Sequence, residues 1–214
     1  MPGKHSSSNE WSVTCTRQIA ANVRHHRERQ NLSVQTVANR CAEMGVPITR
    51  PKLAKLESGH GNLLTVPELL VLAHALDTPP LLLLAPVGRT DSAVEIVPGV
   101  ETDPHTAAAW IDGSAPLPTD PQDAGAAARA ELRLLREHQR LLDQWTSRTR
   151  AAAASHERAG DGPHAKAWSE AAHLHTREAE HAAERIADQR DNMRARGITP
   201  PPLPPGLLHL DHRP

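Results

Sequence analysis

Residues 124–197 are the part of the sequence that most restricts the possible folds. Ala, Arg, Glu, Leu and His predominate here, and a Gly-Asp-Gly-Pro segment at 160–163 interrupts them. On both sides of this break, residues suited to a buried seam recur every three or four positions, as on one face of a helix. We therefore predict two long helices in an antiparallel hairpin. The seam positions are Leu132, Leu135, Leu142, Trp145, Thr149, Ala152 and His156, then Trp168, Ala172, His175, Ala179, Ala182, Ile186, Gln189 and Met193.

The second seam of this hairpin is rich in alanine, so it would bury little apolar surface. A two-helix unit of this kind would be only marginally stable by itself. We expect self-association into a homodimer to bury the largest apolar side chains, which are Leu132, Leu135, Leu142, Trp145 and Trp168. The alternative is that an effector or a different protein occupies these helices.

The composition argues against one large core and separates a basic from an acidic segment. The 214 residues include no Phe or Tyr and four Trp, so cores must consist of Leu, Val, Ile and Ala. The net charge is −1, yet residues 16–60 hold eight Lys or Arg against three Asp or Glu. Residues 91–125 hold seven acidic residues and no Lys or Arg. This asymmetry predicts a polyanionic partner for the basic module alone.

Cysteine usage and hydropathy predict the compartment. Cys15 and Cys41 are too few for a disulfide framework or a cysteine metal site, and we interpret both as small buried residues. Residues 1–9 are polar and lack the apolar centre of a signal peptide. The longest apolar run, at residues 81–85, is too short to cross a bilayer. We therefore expect a soluble, cytoplasmic protein.

Residues 49–58 are predicted to form a short helix with an apolar back and a basic front. The back consists of Ile48, Leu53 and Leu56, and the front of Arg50, Lys52 and Lys55. Thr49 is a good N-cap, and Pro51 falls in the first turn, where its missing N–H costs little. Gly59 suits the position after the helix end. Such a helix has the shape and charge to enter a DNA major groove.

Four further short helices are predicted around this segment. The first begins near Thr14 or Thr16, and Ser33 caps the second. Thr65 and Glu68 have the spacing of a capping box at the start of the fourth, and residues 81–85 form the fifth. Five short helices within residues 16–86 predict a compact all-α domain.

Residues 17–86 resemble the phage-repressor-like helix-turn-helix family, of the Cro/cI or XRE type. The matching residues are Arg27, Leu32-Ser33, Ala38, Ile48-Thr49, Leu53-x-x-Leu56-Glu57-x-Gly59 and Leu69…Leu72-Ala73…Leu76. The resemblance implies a DNA-binding domain whose third helix, residues 49–58, reads the major groove. It also implies that Arg27 and Glu57 pair bidentately and tie this recognition helix to the first helix.

From the resemblance and the basic front we expect a sequence-specific transcription regulator that binds double-stranded DNA and is nucleoid-associated when bound. Arg50 and Lys55 should face base edges, and Lys52 either a base or a phosphate. Contacts to phosphates or to the backbone edge are expected from Gln35, Thr49 and Ser58. The alternative is an adaptor that uses the helical module and the C-terminal helices for protein contacts, but the basic charge of residues 16–60 favours the regulator.

The remaining segments are predicted to have little stable structure. Residues 1–15 should form a flexible arm, and residues 87–123 an acidic, Pro/Gly-rich linker with a short strand at 94–97 and a helix at 104–112. Residues 198–214 should form a disordered, Pro-rich tail. The expected architecture is all-α, with a five-helix Cro/cI-type domain, this linker and a long antiparallel helical hairpin.

Metal binding and catalysis are not expected. Glu170-x-x-His173 and Glu178-x-x-His181 have the spacing of helical carboxylate metal sites. The other carboxylates are interspersed with arginine, so a solvated charged face is the better interpretation. The sequence contains no Gly-rich phosphate loop, nucleophile elbow or Cys-x-x-Cys pair. We therefore predict a protein that is not an enzyme and needs no metal or other cofactor.

Overall fold

The computed structural model describes residues 8–60, 63–119, 122–160 and 162–212. The chain forms two compact units, Met1–Ala124 and Gly125–Pro214. Most described residues are helical, which confirms the predicted class, although the N-terminal unit also contains a two-stranded sheet. Within the described ranges, none of the helices combines the length and the apolar composition that a membrane-spanning segment requires.

The N-terminal unit begins with five helices that pack around one aliphatic core. They are α1 (Ser8–Arg29), α2 (Val34–Glu43), α3 (Arg50–Glu57), α4 (Val66–Ala75) and α5 (Pro80–Leu84). The core consists of Ile19, Ala20, Val23, Val37, Cys41, Ile48, Leu53, Leu56, Leu69, Leu72, Ala73, Ala75, Leu76 and Leu83. Burial raises the pKa of the thiols of Cys15 and Cys41, and both are free. Helix α3 packs mainly against α1 and α2, so its apolar side rests on these two helices.

Side-chain caps define where the helices of this unit begin. The Thr49 hydroxyl accepts a hydrogen bond from the Lys52 backbone N–H at 3.4 Å, at the start of α3. At α4 the capping box predicted from the sequence is present: Thr65 Oγ1 accepts from the Glu68 N–H, and Glu68 Oε2 accepts from the Thr65 N–H. Gly59 follows α3 with φ 77°, a left-handed conformation that glycine adopts without strain.

The N-terminal arm predicted at residues 1–15 is partly helical. Helix α1 already includes residues 8–15, and residues 1–7 lie outside the described residues. Trp11 shows why the helix begins so early, because its indole Nε1–H donates to the Glu95 backbone oxygen at 3.2 Å. A tertiary contact with a distant segment thus stabilises a helical turn that the local sequence did not indicate.

Residues 87–123 differ from the predicted linker, because much of this stretch packs as part of the N-terminal unit. Strands β1 (Val94–Val97) and β2 (Val100–Thr102) form an antiparallel hairpin, and α6 (Pro104–Ile111) follows. Asp103 caps α6 by accepting from the N–H groups of its first turn. A small second core contains Ala85, Ala107 and Ala108, with Leu81, Val87, Val94, Ile96 and Ile111 against it. The local pattern predicted the strand and the helix but not their packing.

The C-terminal unit is the predicted long helical hairpin. Helices α7 (Ala126–Arg158) and α8 (Ala165–Ala195) are joined by a short turn. They run antiparallel, since Arg158 lies over the Trp168 ring near the turn and Arg148 pairs with Glu178 at 3.1 Å farther from it. The hairpin prediction is therefore confirmed.

The Pro-rich tail predicted to be disordered is instead packed on this hairpin over the described residues 198–212, which we call the C-terminal segment. Residues Pro205–His212 form a 3₁₀ helix. Leucines of the segment and of the hairpin share one core, which contains Leu141, Leu142, Ile186, Leu203, Leu207 and Leu210, with Trp145 at its edge. The chain itself thus covers part of the apolar stripe that was expected to lie in a dimer interface.

A buried polar network fastens the C-terminal segment to the hairpin. Arg190, on α8, donates to the Pro201 carbonyl at 2.6 Å and pairs with Asp211, both in the segment. His138 of α7 is fully buried, with Nε2 3.1 Å from Arg190 Nη1. Burial, and then the adjacent Arg190, lower the pKa of His138, whereas Asp211 acts in the opposite direction. The neutral imidazole is therefore the form that this network accommodates.

The lowered pKa of His138 predicts that acid weakens the C-terminal unit. The unfolded chain binds a proton at this histidine more readily than the folded chain, so the stabilisation is complete above about pH 6.5, its ordinary pKa, and is lost as the pH falls below it. Hydrogen exchange of α7 and α8 amides between about pH 7.5 and 5.5 should show this loss. His138→Gln, which can still accept from Arg190 but does not titrate, should flatten the dependence. An unchanged pH slope in that variant would contradict the prediction.

Candidate nucleic-acid interface

Helix α3 presents two different sides. Its buried residues Leu53 and Leu56, with Ile48 just before the helix, pack into the core of the N-terminal unit. Arg50 and Lys55 are exposed on the other side, and neither forms an ion pair with any residue in the described ranges. A helix that is fixed along one side and carries uncompensated positive charge along the other can approach a polyanion without rearranging.

The structure brings Arg27 and Glu57 together behind α3. Arg27 Nε donates to Glu57 Oε1, and Nη2 to Oε2, each at 2.7 Å. The third nitrogen, Nη1, donates to the Leu32 carbonyl at 2.9 Å, just before α2. The side chains are only 12% and 6% exposed, respectively. One guanidinium therefore joins α1 to the end of α3 and to the turn that precedes α2.

Lys52 is placed differently from the other two cations of α3. Its ammonium group pairs with Glu68 of α4. Burial acts against ionisation of Glu68, but hydrogen bonds from Lys52 and from the Thr65 backbone outweigh this effect and lower its pKa. The charge of Lys52 is thus largely compensated within the protein. The sequence identified Glu68 only as part of a capping box, because its pairing with Lys52 depends on how α3 and α4 pack.

The three residues predicted to contact phosphates or the backbone edge are all exposed but lie far apart along the helices. Gln35 is in the first turn of α2, where its amide donates to Asn39 at 2.7 Å. Thr49 is the N-cap of α3. Ser58 is the C-cap, and its hydroxyl donates to the Lys55 carbonyl at 2.9 Å. With a rise of about 1.5 Å per residue, Thr49 and Ser58 mark opposite ends of α3.

A groove beside α3 was not predicted from the sequence. It encloses about 350 Å³ and is lined by Pro51, Lys52 and Lys55 of α3 and by Leu63 and Leu64 of the following loop. Leu63 is exposed. The signal for it in the sequence is the pair of consecutive leucines, Leu63 and Leu64, between α3 and α4. Apolar side chains beside cations can contact thymine methyl groups or a protein surface.

One carboxylate of the two Glu-x-x-His pairs in the hairpin takes part in surface contacts. Glu178, from one of the two Glu-x-x-His pairs, contacts Arg148 at 3.1 Å and His175 at 3.2 Å. Across the described part of the chain, no group of three or more His, Cys, Asp or Glu side chains is arranged to hold a metal ion.

Comparison with known proteins adds no relative to this picture. No family model matches the chain, and no curated protein or solved structure resembles it significantly. The fold and the site define the chain as a mostly helical protein with two units. One of these units presents a basic helix whose other side is packed into the core.

Proposed function

We propose that the chain is a transcription regulator that binds double-stranded DNA sequence-specifically, with α3 as the recognition helix of a Cro/cI-type helix-turn-helix. The observation that carries the proposal is the contrast between the two sides of α3. Buried leucines and the Arg27–Glu57 pair hold one side, and Arg50 and Lys55 on the other form no ion pair with the described residues. Insertion into the major groove requires this combination of rigidity and uncompensated charge.

The contacts of each residue support a division of roles. Arg50 stands in the first turn of α3, where a guanidinium can donate bidentately to guanine O6 and N7. Lys55 lies five residues, or about 1.4 turns, farther along and can reach a second base or a phosphate. Lys52 contributes less to either, because Glu68 already holds its ammonium group. Gln35, Thr49 and Ser58 position the domain through phosphate contacts that carry no sequence information.

Replacing Arg50 with alanine tests the proposal directly. We expect a loss of about 1–3 kcal/mol at the preferred site and relaxed preference at one base pair, because a bidentate arginine–guanine contact is removed. Selection from a random duplex library, followed by titration of the selected and altered sites with the full-length protein, measures both. Arg133→Ala, an exposed arginine of α7, removes the same charge outside the proposed interface and should leave both unchanged. Equal weakening on all sequences would show that Arg50 contacts only phosphate.

An adaptor function is the second candidate, and the groove beside α3 is the observation that favours it. Exposed Leu63 and partly buried Leu64 border the basic front, so the same surface could receive an apolar peptide. Salt separates the two functions. Binding driven by phosphates falls steeply as salt increases, because each neutralised phosphate releases counterions, whereas an apolar contact depends little on salt. A flat salt dependence of duplex binding would favour the adaptor.

We also propose that the protein forms a homodimer, although the structure changes the reason for expecting one. Leu142 and Trp145 already pack against the C-terminal segment, so their burial does not require a second chain. Leu132 of the predicted stripe remains exposed. A functional reason adds to this: Arg50 and Lys55 alone provide few contacts, and two modules joined in a dimer would raise the affinity for a palindromic site without a new base contact.

A further inference from the structure

A second cluster of positive charge lies at the C-terminal end of α1 and in the segment after α5. Arg27 points toward Glu57 of α3, and residues two positions away on a helix lie about 200° around its axis. Arg29 therefore faces away from α3. Together with His25, His26 and Arg89, which follows α5, it lines a pocket of about 460 Å³. His25 and Arg89 also line a neighbouring pocket that reaches Ser58 at the end of α3. Its size falls within the range of about 300–1,000 Å³ found for small-molecule sites.

The positive charge of this pocket has no acidic counterpart among the described residues of its wall, none of which is Asp or Glu. Arg29 forms no ion pair with the described residues, and Arg89 donates to a neutral partner, the side-chain oxygen of Asn22. The nearest carboxylate along the helix, Glu28, is occupied by Arg24 at 2.8 Å and Arg27 at 3.5 Å.

The uncompensated charge contributes to a lowered pKa of both histidines. Burial, and then Arg89 and Arg29, lower the pKa of His25, and Glu28 opposes this only weakly. The pKa of His26 is lowered by burial and then by His25, Arg89 and Arg29. A hydrogen bond with the Leu82 backbone acts in the opposite direction. An anion in the pocket would reverse the electrostatic part of these shifts.

The pocket is built on the core and is not only a group of surface chains. Asn22 is fully buried, and its amide donates to the Leu83 carbonyl at 2.8 Å, which ties α1 to α5. The oxygen of the same amide accepts from Arg89 and so orients the guanidinium. The carbonyl groups at the end of α1 carry a partial negative charge, which by itself favours a cation over an anion. The pocket does not consist of this helix end alone, because Arg89 comes from a different segment and Leu82 provides an apolar wall.

We propose that this pocket, whose described wall contains no residue of α3, binds a small anion that carries a phosphate group. Two guanidinium groups can donate to phosphate oxygens in a fork geometry, and two imidazoles add donors whose charge increases as the pH falls. The apolar wall at Leu82 and Val87 leaves room for an uncharged part of the ligand. Occupancy would join the end of α1 to the segment after α5 and thereby stiffen the N-terminal unit.

Titration of the full-length protein with inorganic phosphate, followed by the ring resonances of His25 and His26 in NMR spectra, tests the site. We expect saturable shifts that sodium chloride at equal ionic strength does not reproduce. Arg29→Gln should weaken the binding roughly tenfold, since a charge-assisted hydrogen bond is lost. Arg29 is exposed and has no structural partner in the described ranges, so the variant should fold. Lys55→Gln removes the same charge from α3 and should leave phosphate binding unchanged.

Sulfate, whose charge is constant over the range, should bind more tightly at about pH 5.5 than at about pH 8 because a larger fraction of the histidines is then protonated. The affinity of the same two variants for duplex DNA distinguishes this pocket from the proposed DNA-binding helix. Arg29→Gln should leave duplex affinity unchanged, while Lys55→Gln should reduce it. Non-saturable shifts, or equal phosphate binding in the two variants, would overturn the inference. So would a loss of duplex affinity in Arg29→Gln, which would make the cluster a DNA-backbone contact. Phosphate binding without any duplex binding would retain the site and reject the proposed DNA function.

Discussion

Replacing Glu57 with alanine is expected to destabilise the N-terminal unit by about 3 kcal/mol or more, because it leaves a buried guanidinium without its carboxylate. Arg27 is only 12% exposed, and two of its three hydrogen-bonding nitrogens donate to Glu57. The loss should also be local at first, since the pair joins the end of α3 to α1.

Urea unfolding of the full-length protein measures the loss, and hydrogen exchange of α3 amides locates it. Glu28→Ala is the matched control, because Glu28 also contacts Arg27, at 3.5 Å, but is about half exposed. Exposed pairs contribute about 1 kcal/mol or less, so this variant should unfold close to the wild-type midpoint. If Glu57→Ala and Glu28→Ala were equally stable, the Arg27–Glu57 pair would not support α3. DNA binding by Glu57→Ala should weaken in parallel if α3 reads DNA.

Replacing Leu207 with alanine is expected to cost the C-terminal unit about 2–5 kcal/mol, the range for a buried leucine whose cavity cannot collapse. Leu207 is 1% exposed and belongs to the core shared with the hairpin, whereas its neighbour Leu208 is 52% exposed. Leu208→Ala therefore removes the same atoms from the same 3₁₀ helix and should change the stability by about 0.5 kcal/mol or less. Urea unfolding of the two variants gives the comparison.

Light scattering on the same two variants tests what the C-terminal segment covers. Loosening the segment should uncover Leu142 and Trp145, so Leu207→Ala should self-associate more than Leu208→Ala at equal concentration. Equal mass and equal stability in both variants would mean that the segment does not shield the hairpin. The wild-type mass separately reports whether the proposed homodimer forms.

The sequence by itself determined the features that depend on neighbouring residues. The helical hairpin follows from a repeat of three and four across residues 124–197, because this periodicity places apolar groups on one face whatever the partner is. The capping box of Thr65 and Glu68 follows because its hydrogen bonds span three residues. The strand at 94–97 and the helix near 104–111 were likewise visible as local patterns.

Only the tertiary structure decided where these elements bury their surface. A Pro-rich composition predicts an extended, solvated chain, yet Leu203, Leu207 and Leu210 fold onto the hairpin because it offers an unfilled apolar stripe. The pairing of Lys52 with Glu68, and the position of Arg89 against α1, also join residues that are distant in sequence. Contacts of this kind depend on which faces meet after collapse, and no periodicity within one segment records that choice.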